Sequence, residues 1–313
     1  MRIRSKVLAA AVPLGAALLA SACSSAAATS PPSSSGSGSK IVAIGAENEY
    51  ASVLQQVGGK YIQVSAIMSN PATDPHTYEA SPSVAREVSA AQLVVQNGVG
   101  YDTFMSTIEN AAANSSRKVI TVQTLLGLPD STPNPHLWYK PSTMPTVANA
   151  IASDLAAIQP AHAAYFKANA QAFISSLAPW NQAIATFKAK YGGTPVATTE
   201  PVADYMLQAA GADNTTPFTF QANIMNGVDP SAQNVALEKS LFTQHKVKAF
   251  LYNQQVTSSL TQSFVALAHQ NNIPVVGVYE TMPTPGFTYQ TWMLTEVQDL
   301  QKAVVDKTST EHL

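Results

Sequence analysis

What most constrains this chain is an interruption in its rhythm. Short apolar strands and helices alternate through the first folded stretch, an alanine-rich helical run intervenes, and the alternation then starts again. The first stretch opens with the strand "KIVAIG". A helix follows in "AENEYASVLQQVGG", where Tyr50, Val53, Leu54 and Val57 recur at helical spacing and Gly58-Gly59 end the run. "IQVSAIM" is the next strand. "SPSVAREVSAAQ" is a helix with Ser81 as N-cap and Pro82 in its first turn. "LVVQNG" is a buried strand stopped by Asn97-Gly98. Strand and helix in alternation define a parallel α/β sheet.

From Ser142 the pattern changes. "STMPTVANAIASDLAAIQ" forms one helix, and Pro160 opens an alanine-rich helical stretch that ends at Gly192-Gly193. About 30 helical residues would span roughly 45 Å. Pro179 lies inside the stretch and bends it or breaks it in two. A helix of this length between two α/β halves acts as a strut joining lobes. Beyond it come the strand "TPVATTE", the helix "PVADYMLQAAG", the strand "VKAFLYN", the helix "SLTQSFVALAHQNN", the strand "IPVVGVYE" and a last helix from about Tyr289 to Lys307. With 313 residues the chain is too long for one ordinary core and suits two. The expected architecture is therefore α/β, with two parallel-sheet lobes over 40–141 and 192–313, connecting helices over 142–191, and a ligand site in the cleft between lobes.

The N-terminus is a targeting segment. Arg2, Arg4 and Lys6 precede an apolar run from Val7 to Ala20, too short to span a bilayer. The run leads to "LLASAC" and Cys23, the only cysteine in the chain. This resembles a bacterial lipoprotein signal over 1–22, in which the thiol of Cys23 is acylated. Lipidation also disposes of a lone thiol in an oxidising compartment. Residues 23–39 hold a Ser/Pro/Gly-rich run with nothing apolar larger than alanine, a disordered tether reaching roughly 20–25 Å. Net charge is -2, which leaves no basic field for nucleic acid. Charged residues make up only 12%, about half the usual share, so the surface is close to neutral.

Two of the six histidines share a context. His76 stands in "TDPHTYEASPS" and His136 in "TPNPHLWYKPS", each directly after a proline that limits the freedom of its loop. In open parallel sheets, ligands sit beyond the carboxyl ends of strands. Glu200 ends "VATT" just before Pro201, and Glu280 ends "IPVVGVY". His136 follows the apolar, strand-like piece "VITVQTLLGL". Two imidazoles and one or two carboxylates, each from a different loop, suit a divalent first-row cation. The ordinary reading of Glu200 is a carboxylate at a helix start, and of Glu280 an exposed loop carboxylate. His162, His245, His269 and His312 lack the Pro-His context and are taken as surface residues, and Trp138 and Tyr139 as packing aromatics.

"DPHTYEASPS", "LVVQNGVGYD", "NPHLW" and "TEPVADYM" together are similar to the metal-binding lipoproteins of zinc and manganese ABC importers, the ZnuA/TroA-like substrate-binding proteins. The resemblance runs from Lys40 almost to the C-terminus. It implies two α/β lobes joined by a rigid backbone helix, with metal held between them. His76 and His136 match the first two histidine ligands, and Glu200 matches a third position that is histidine or glutamate in the family. The family's fourth ligand is an aspartate, for which this chain has Phe287 in "PGFTYQTWM". Glu280 is the expected substitute, with a water ligand as its rival.

The expected function is an extracytoplasmic, lipid-anchored receptor that captures Zn²⁺ or Mn²⁺ and delivers it to an ABC permease. The receptor is expected to be a monomer that binds no nucleic acid and is not an enzyme. The carboxylates lean toward manganese or iron, whereas the affinity order and the resemblance place zinc slightly ahead. The alternative is a metal-dependent hydrolase using the same His and Glu ligands with an open position for water. No His-Glu-x-x-His segment is present to support it.

Overall fold

Each half of the chain builds a four-stranded sheet, and both sheets are wholly parallel with the same strand order. The computed structural model describes residues 39–70, 78–79, 81–283 and 285–313. The expectations placed on the signal segment, Cys23, the tether up to residue 38 and His76 lie outside the described residues.

In the N-terminal half, β1 (Ile41–Glu47), β2 (Ile62–Met68), β3 (Leu93–Gln96) and β4 (Lys118–Thr121) lie in the order β2-β1-β3-β4. Helices α1 (Asn48–Gly58), α2 (Pro82–Ala90), α3 (Thr103–Ala111) and α4 (Val122–Leu125) connect them or follow β4. The second half repeats the pattern with β5 (Pro195–Thr198), β6 (Asp213–Asn214), β7 (Phe250–Asn253) and β8 (Val275–Val278) in the order β6-β5-β7-β8. The order switches direction between β1 and β3, and again between β5 and β7. These two points are where an open parallel sheet offers a crevice for ligands.

Between the sheets stand α5 (Thr143–Ile158), α6 (Ala163–Ser176) and α7 (Ala178–Tyr191). The expected long strut is thus two helices. Pro179 enters the first turn of α7, where its missing N–H costs nothing, and helix α6 ends before it. The division has a packing consequence: α6 lies on α5 and α1, whereas α7 lies on α8 (Asp204–Ala210) and α12 (Tyr289–Asp306). One apolar cluster runs from β1 through Phe166, Phe173, Trp180 and Phe187 of these helices to Val297 and Leu300 of α12. Each fully buried phenylalanine contributes about 1.5–3 kcal/mol, so the lobes share a core in addition to being linked.

Two local expectations are corrected. The strand-like "VITVQTLLGL" is a strand only to Thr121, and α4 takes over at Val122. The helix turns Gln123 back toward the Asn97–Val99 turn, where its Oε1 accepts from the Val99 amide at 2.6 Å. Ser81 has the extended backbone of an N-cap, yet its hydroxyl meets the Ser83 hydroxyl at 2.7 Å and caps no amide. The remaining helices, α9 (Phe218–Met225), α10 (Ala232–Thr243) and α11 (Ser259–Gln270), cover the second sheet. Among the described residues no helix is long and apolar enough to cross a membrane.

Candidate metal centre

The second sheet brings its two predicted carboxylates together. Glu200 lies two residues past β5 and Glu280 two past β8, with the end of β7 between them. The last residue of β7 is Asn253, and its side chain links the two. Its Nδ2 donates to Glu280 Oε1 at 2.7 Å and to Glu200 Oε1 at 3.2 Å. The orientation of this amide is settled by the backbone, because its Oδ1 accepts from the Gln255 amide at 3.0 Å. Gln255 Oε1 in turn accepts from the amides of Glu280 and Thr281 at 2.5 and 2.8 Å. Glu280 is 0% exposed and Glu200 2%, so Glu280 is not the exposed loop carboxylate of its ordinary reading.

His136 comes to this pair from the other lobe. The ring is fully buried, and Nε2 lies 3.2 Å from Glu280 Oε2. Two donors about 2.0 Å from one zinc ion at the tetrahedral angle would be about 3.3 Å apart, so the spacing is already that of neighbouring ligands. Nδ1 lies 2.7 Å from Asn134 Oδ1. That amide is oriented too: its Nδ2 donates to the Pro201 carbonyl at 2.7 Å, and its Oδ1 also accepts from the His136 amide at 3.0 Å. Nδ1 therefore carries a proton and Nε2 faces the carboxylate, the arrangement in which Nε2 can bind a metal. Asn134 thereby ties the histidine loop to Pro201, the neighbour of Glu200. Tyr205 closes the same seam, its hydroxyl donating to the Asn134 carbonyl at 2.9 Å.

Tyr101 adds a donor from the N-terminal lobe, reaching Glu280 Oε2 at 3.0 Å. Its own ionisation is pushed well above the usual range, first by burial and then by Glu280, Glu49 and Glu47. Those last two acids occupy the switch point of the first sheet, where β1 ends and α1 begins. Both are fully buried, and none of their four carboxyl oxygens has a hydrogen-bond partner among the described residues. Burial first, then repulsion from Asp102 and Glu49, holds Glu47 well above the carboxylate range. Burial and the fields of Glu280 and Asp102 do the same to Glu49, against the pull of its own backbone amide. An ionised carboxylate so enclosed is costly, which is the physical cause of both upward shifts. Asp102 is different: burial lifts it to about 6, opposed by the amides of Asn97 and Gly98 that it accepts from at 2.5 and 2.9 Å.

Of the four predicted ligands, His136 and Glu280 meet directly, Glu200 joins through Asn253, and His76 lies outside the described residues. Among the described residues no three imidazole, thiol or carboxylate groups converge closely enough to enclose an ion by themselves. Phe287 packs partly buried against the shared core. Asn134, Glu47 and Glu49 are site or near-site residues that sequence reasoning does not assign, whereas Asn253 and Gln255 belong to the Tyr252–Gln255 run whose strand-end position makes it a candidate cleft lining. The Asn253–Gln255 run carries a weak signal, since it ends a strand at the same edge as Glu200. Trp138 and Tyr139 are fully buried packing residues, as expected.

A two-lobed α/β binding protein with a buried imidazole–carboxylate constellation between its lobes is the class that this fold and site define. Within it, the chain belongs to the ZnuA family, the periplasmic component A of zinc-uptake complexes, whose model matches residues 46–303. The family and the relatives are substrate-binding proteins of ABC importers and not enzymes, which leaves the hydrolase alternative without support. One relative is the manganese ABC transporter substrate-binding lipoprotein PsaA of Streptococcus anginosus, 21% identical over 256 residues, covering 76% of this chain and 79% of the relative. Among solved structures, ZnuA superposes with a TM-score of 0.69 at 20% identity, covering 85% of this chain and 99% of that one. The substrate-binding protein FpvC from Pseudomonas aeruginosa in complex with Mn²⁺ gives 0.70 at 20% identity, covering 86% and 99%. At such identities these two show the shared fold.

Proposed function

We propose that this chain is an extracytoplasmic lipoprotein, acylated at Cys23, that captures a divalent transition metal and hands it to an ABC permease. His76, His136, Glu200 and Glu280 are its ligands, and zinc is the cargo ahead of manganese. The observation that carries this reading is the meeting of His136 from one lobe with Glu280 from the other, fully buried at 3.2 Å. A site assembled from both lobes couples capture to their relative position, which suits a receptor that must later release its cargo. Family membership supports the class of cargo, and the lipoprotein names of relatives support the anchor.

The test is elemental analysis of the chain, stripped with chelator and dialysed against equal zinc, manganese and iron(II), beside His76→Ala and Glu280→Ala. One equivalent of metal, predominantly zinc, is expected, with loss in both variants. Retention in Glu280→Ala would give the fourth position to water, and no metal in the unmutated chain would end the reading.

A further inference from the structure

Asn253 binds the two carboxylates in a way that limits how they can coordinate. Each of its two N–H groups is spent on Oε1 of a different glutamate, at 2.7 Å for Glu280 and 3.2 Å for Glu200. On Glu280 the consequence is visible: Oε1 belongs to Asn253, and Oε2 is the atom turned toward His136 Nε2 and the Tyr101 hydroxyl. The amide cannot turn over to release them. Its oxygen is held by the Gln255 backbone, and its own backbone amide donates to Thr199 Oγ1 at 3.0 Å.

We infer that Asn253 is a specificity-determining residue that holds Glu200 and Glu280 to one metal-binding oxygen each, and so selects a low coordination number. The inference rests on the reading of these glutamates as ligands. Bidentate carboxylates raise the ligand count toward that of six-coordinate, oxygen-preferring ions such as manganese. Single oxygens, combined with imidazole nitrogen, build the four-coordinate set that zinc takes readily because it has no d-electron preference for a larger shell. Asn253 donates to both glutamates and is not itself one of the proposed ligands, so its effect falls on the choice between ions more than on whether one binds.

Two variants separate these roles in the full chain, held in detergent. Asn253→Ala removes both donors. Asn253→Asp keeps the size and the acceptor for the Gln255 amide but replaces the donors with oxygen. The readouts are the ratio of zinc to manganese dissociation constants and the visible spectrum with Co²⁺, which absorbs intensely when four-coordinate and weakly when six-coordinate. The unmutated chain is expected to give the intense spectrum. In folded variants, checked by circular dichroism, the preference for zinc should fall at least tenfold and the cobalt bands should weaken. An unchanged ratio and spectrum in Asn253→Asp overturns the inference, as does an equal weakening of all ions or a weak spectrum from the unmutated chain. Those outcomes leave the receptor reading standing, whereas failure of the unmutated chain to bind zinc, manganese or cobalt removes both.

Discussion

Asn48 holds Met282 across the lobes through both of its side-chain atoms. Nδ2 donates to the Met282 carbonyl at 2.7 Å, and Oδ1 accepts from the Met282 amide at 2.8 Å. Asn48 is the first residue of α1, and Met282 lies two residues beyond Glu280. The segment carrying Glu280 is therefore gripped from its own lobe by Gln255 and from the other by Asn48. Two buried hydrogen bonds contribute about 1–3 kcal/mol together. Asn48→Ala should lower the stability of the metal-free chain by that amount in urea unfolding. Asn48→Asp, which keeps the acceptor and loses the donor, should cost more than Asn48→Ala, because a buried carboxylate would face a carbonyl. Unchanged urea midpoints for both variants would show that the link carries no load.

Asn134 is the residue that sets the proton position on His136. Replacing it with leucine removes the acceptor for Nδ1–H while keeping the volume. Metal affinity should fall about 10- to 100-fold, the usual loss when the partner of a ligating histidine is removed. Affinity alone would not distinguish a tautomer effect from disturbed packing. Long-range ¹H–¹⁵N correlation spectra do so: the unmutated, metal-free protein should show His136 protonated at Nδ1, and Asn134→Leu should show that preference lost. A persistent Nδ1–H signal in the variant would assign the orientation to something other than Asn134.

Much of this was legible in the residues, and the rest was hidden for a physical reason. Alternating strand and helix reveal both sheets because period 2 and period 3.6 are local properties of the chain. Pro179 marks the break between α6 and α7 because a missing N–H acts locally as well. The Pro-His pairs and the strand-end glutamates single out His136, Glu200 and Glu280 by position. Asn48 and Asn134 carry no such mark, and Asn253 shows only that it ends a strand. Each is a short amide whose role depends on partners at sequence separations of 234, 67 and 53 residues, which no local pattern reveals. Glu47 and Glu49 likewise carry no local mark of the complete burial that the fold gives them.

The contact between His136 Nε2 and Glu280 Oε2 at 3.2 Å needs a proton on one side or the other. A metal that takes both atoms as ligands displaces it. Metal uptake should therefore release close to one proton per ion from this pair, and affinity should weaken as pH falls. Titration calorimetry in buffers of different ionisation enthalpy measures the number directly. Glu280→Gln, which cannot hold the proton, should bind more weakly and release fewer protons. Zero release from the unmutated chain would mean that the pair is not the site of coordination.

An acid buried beside the shared core sets a pH dependence of the opposite kind. Glu296 of α12 accepts from Trp292 Nε1 at 2.9 Å and from the Tyr139 hydroxyl at 3.1 Å, both at Oε1. Burial raises it from 4.5 to about 8, against the pull of those two donors. Glu238, buried in the second sheet's own core beside Thr216, is likewise raised to about 8. A carboxyl with a raised folded pKa holds its proton more tightly folded than unfolded. Its stabilisation is full below about 4.5 and is lost as pH rises toward about 8. The metal-free chain should lose stability across that window, by a few kcal/mol from Glu296 alone at about 1.4 kcal/mol per pKa unit. Glu296→Gln imitates the protonated acid and keeps its acceptor for Trp292 and Tyr139. Its urea midpoint should match the unmutated chain at pH 4.5 and exceed it at pH 8.5. Parallel pH profiles for the two proteins would mean that Glu296 is ionised in the fold, and that Trp292 and Tyr139 suffice to stabilise its charge.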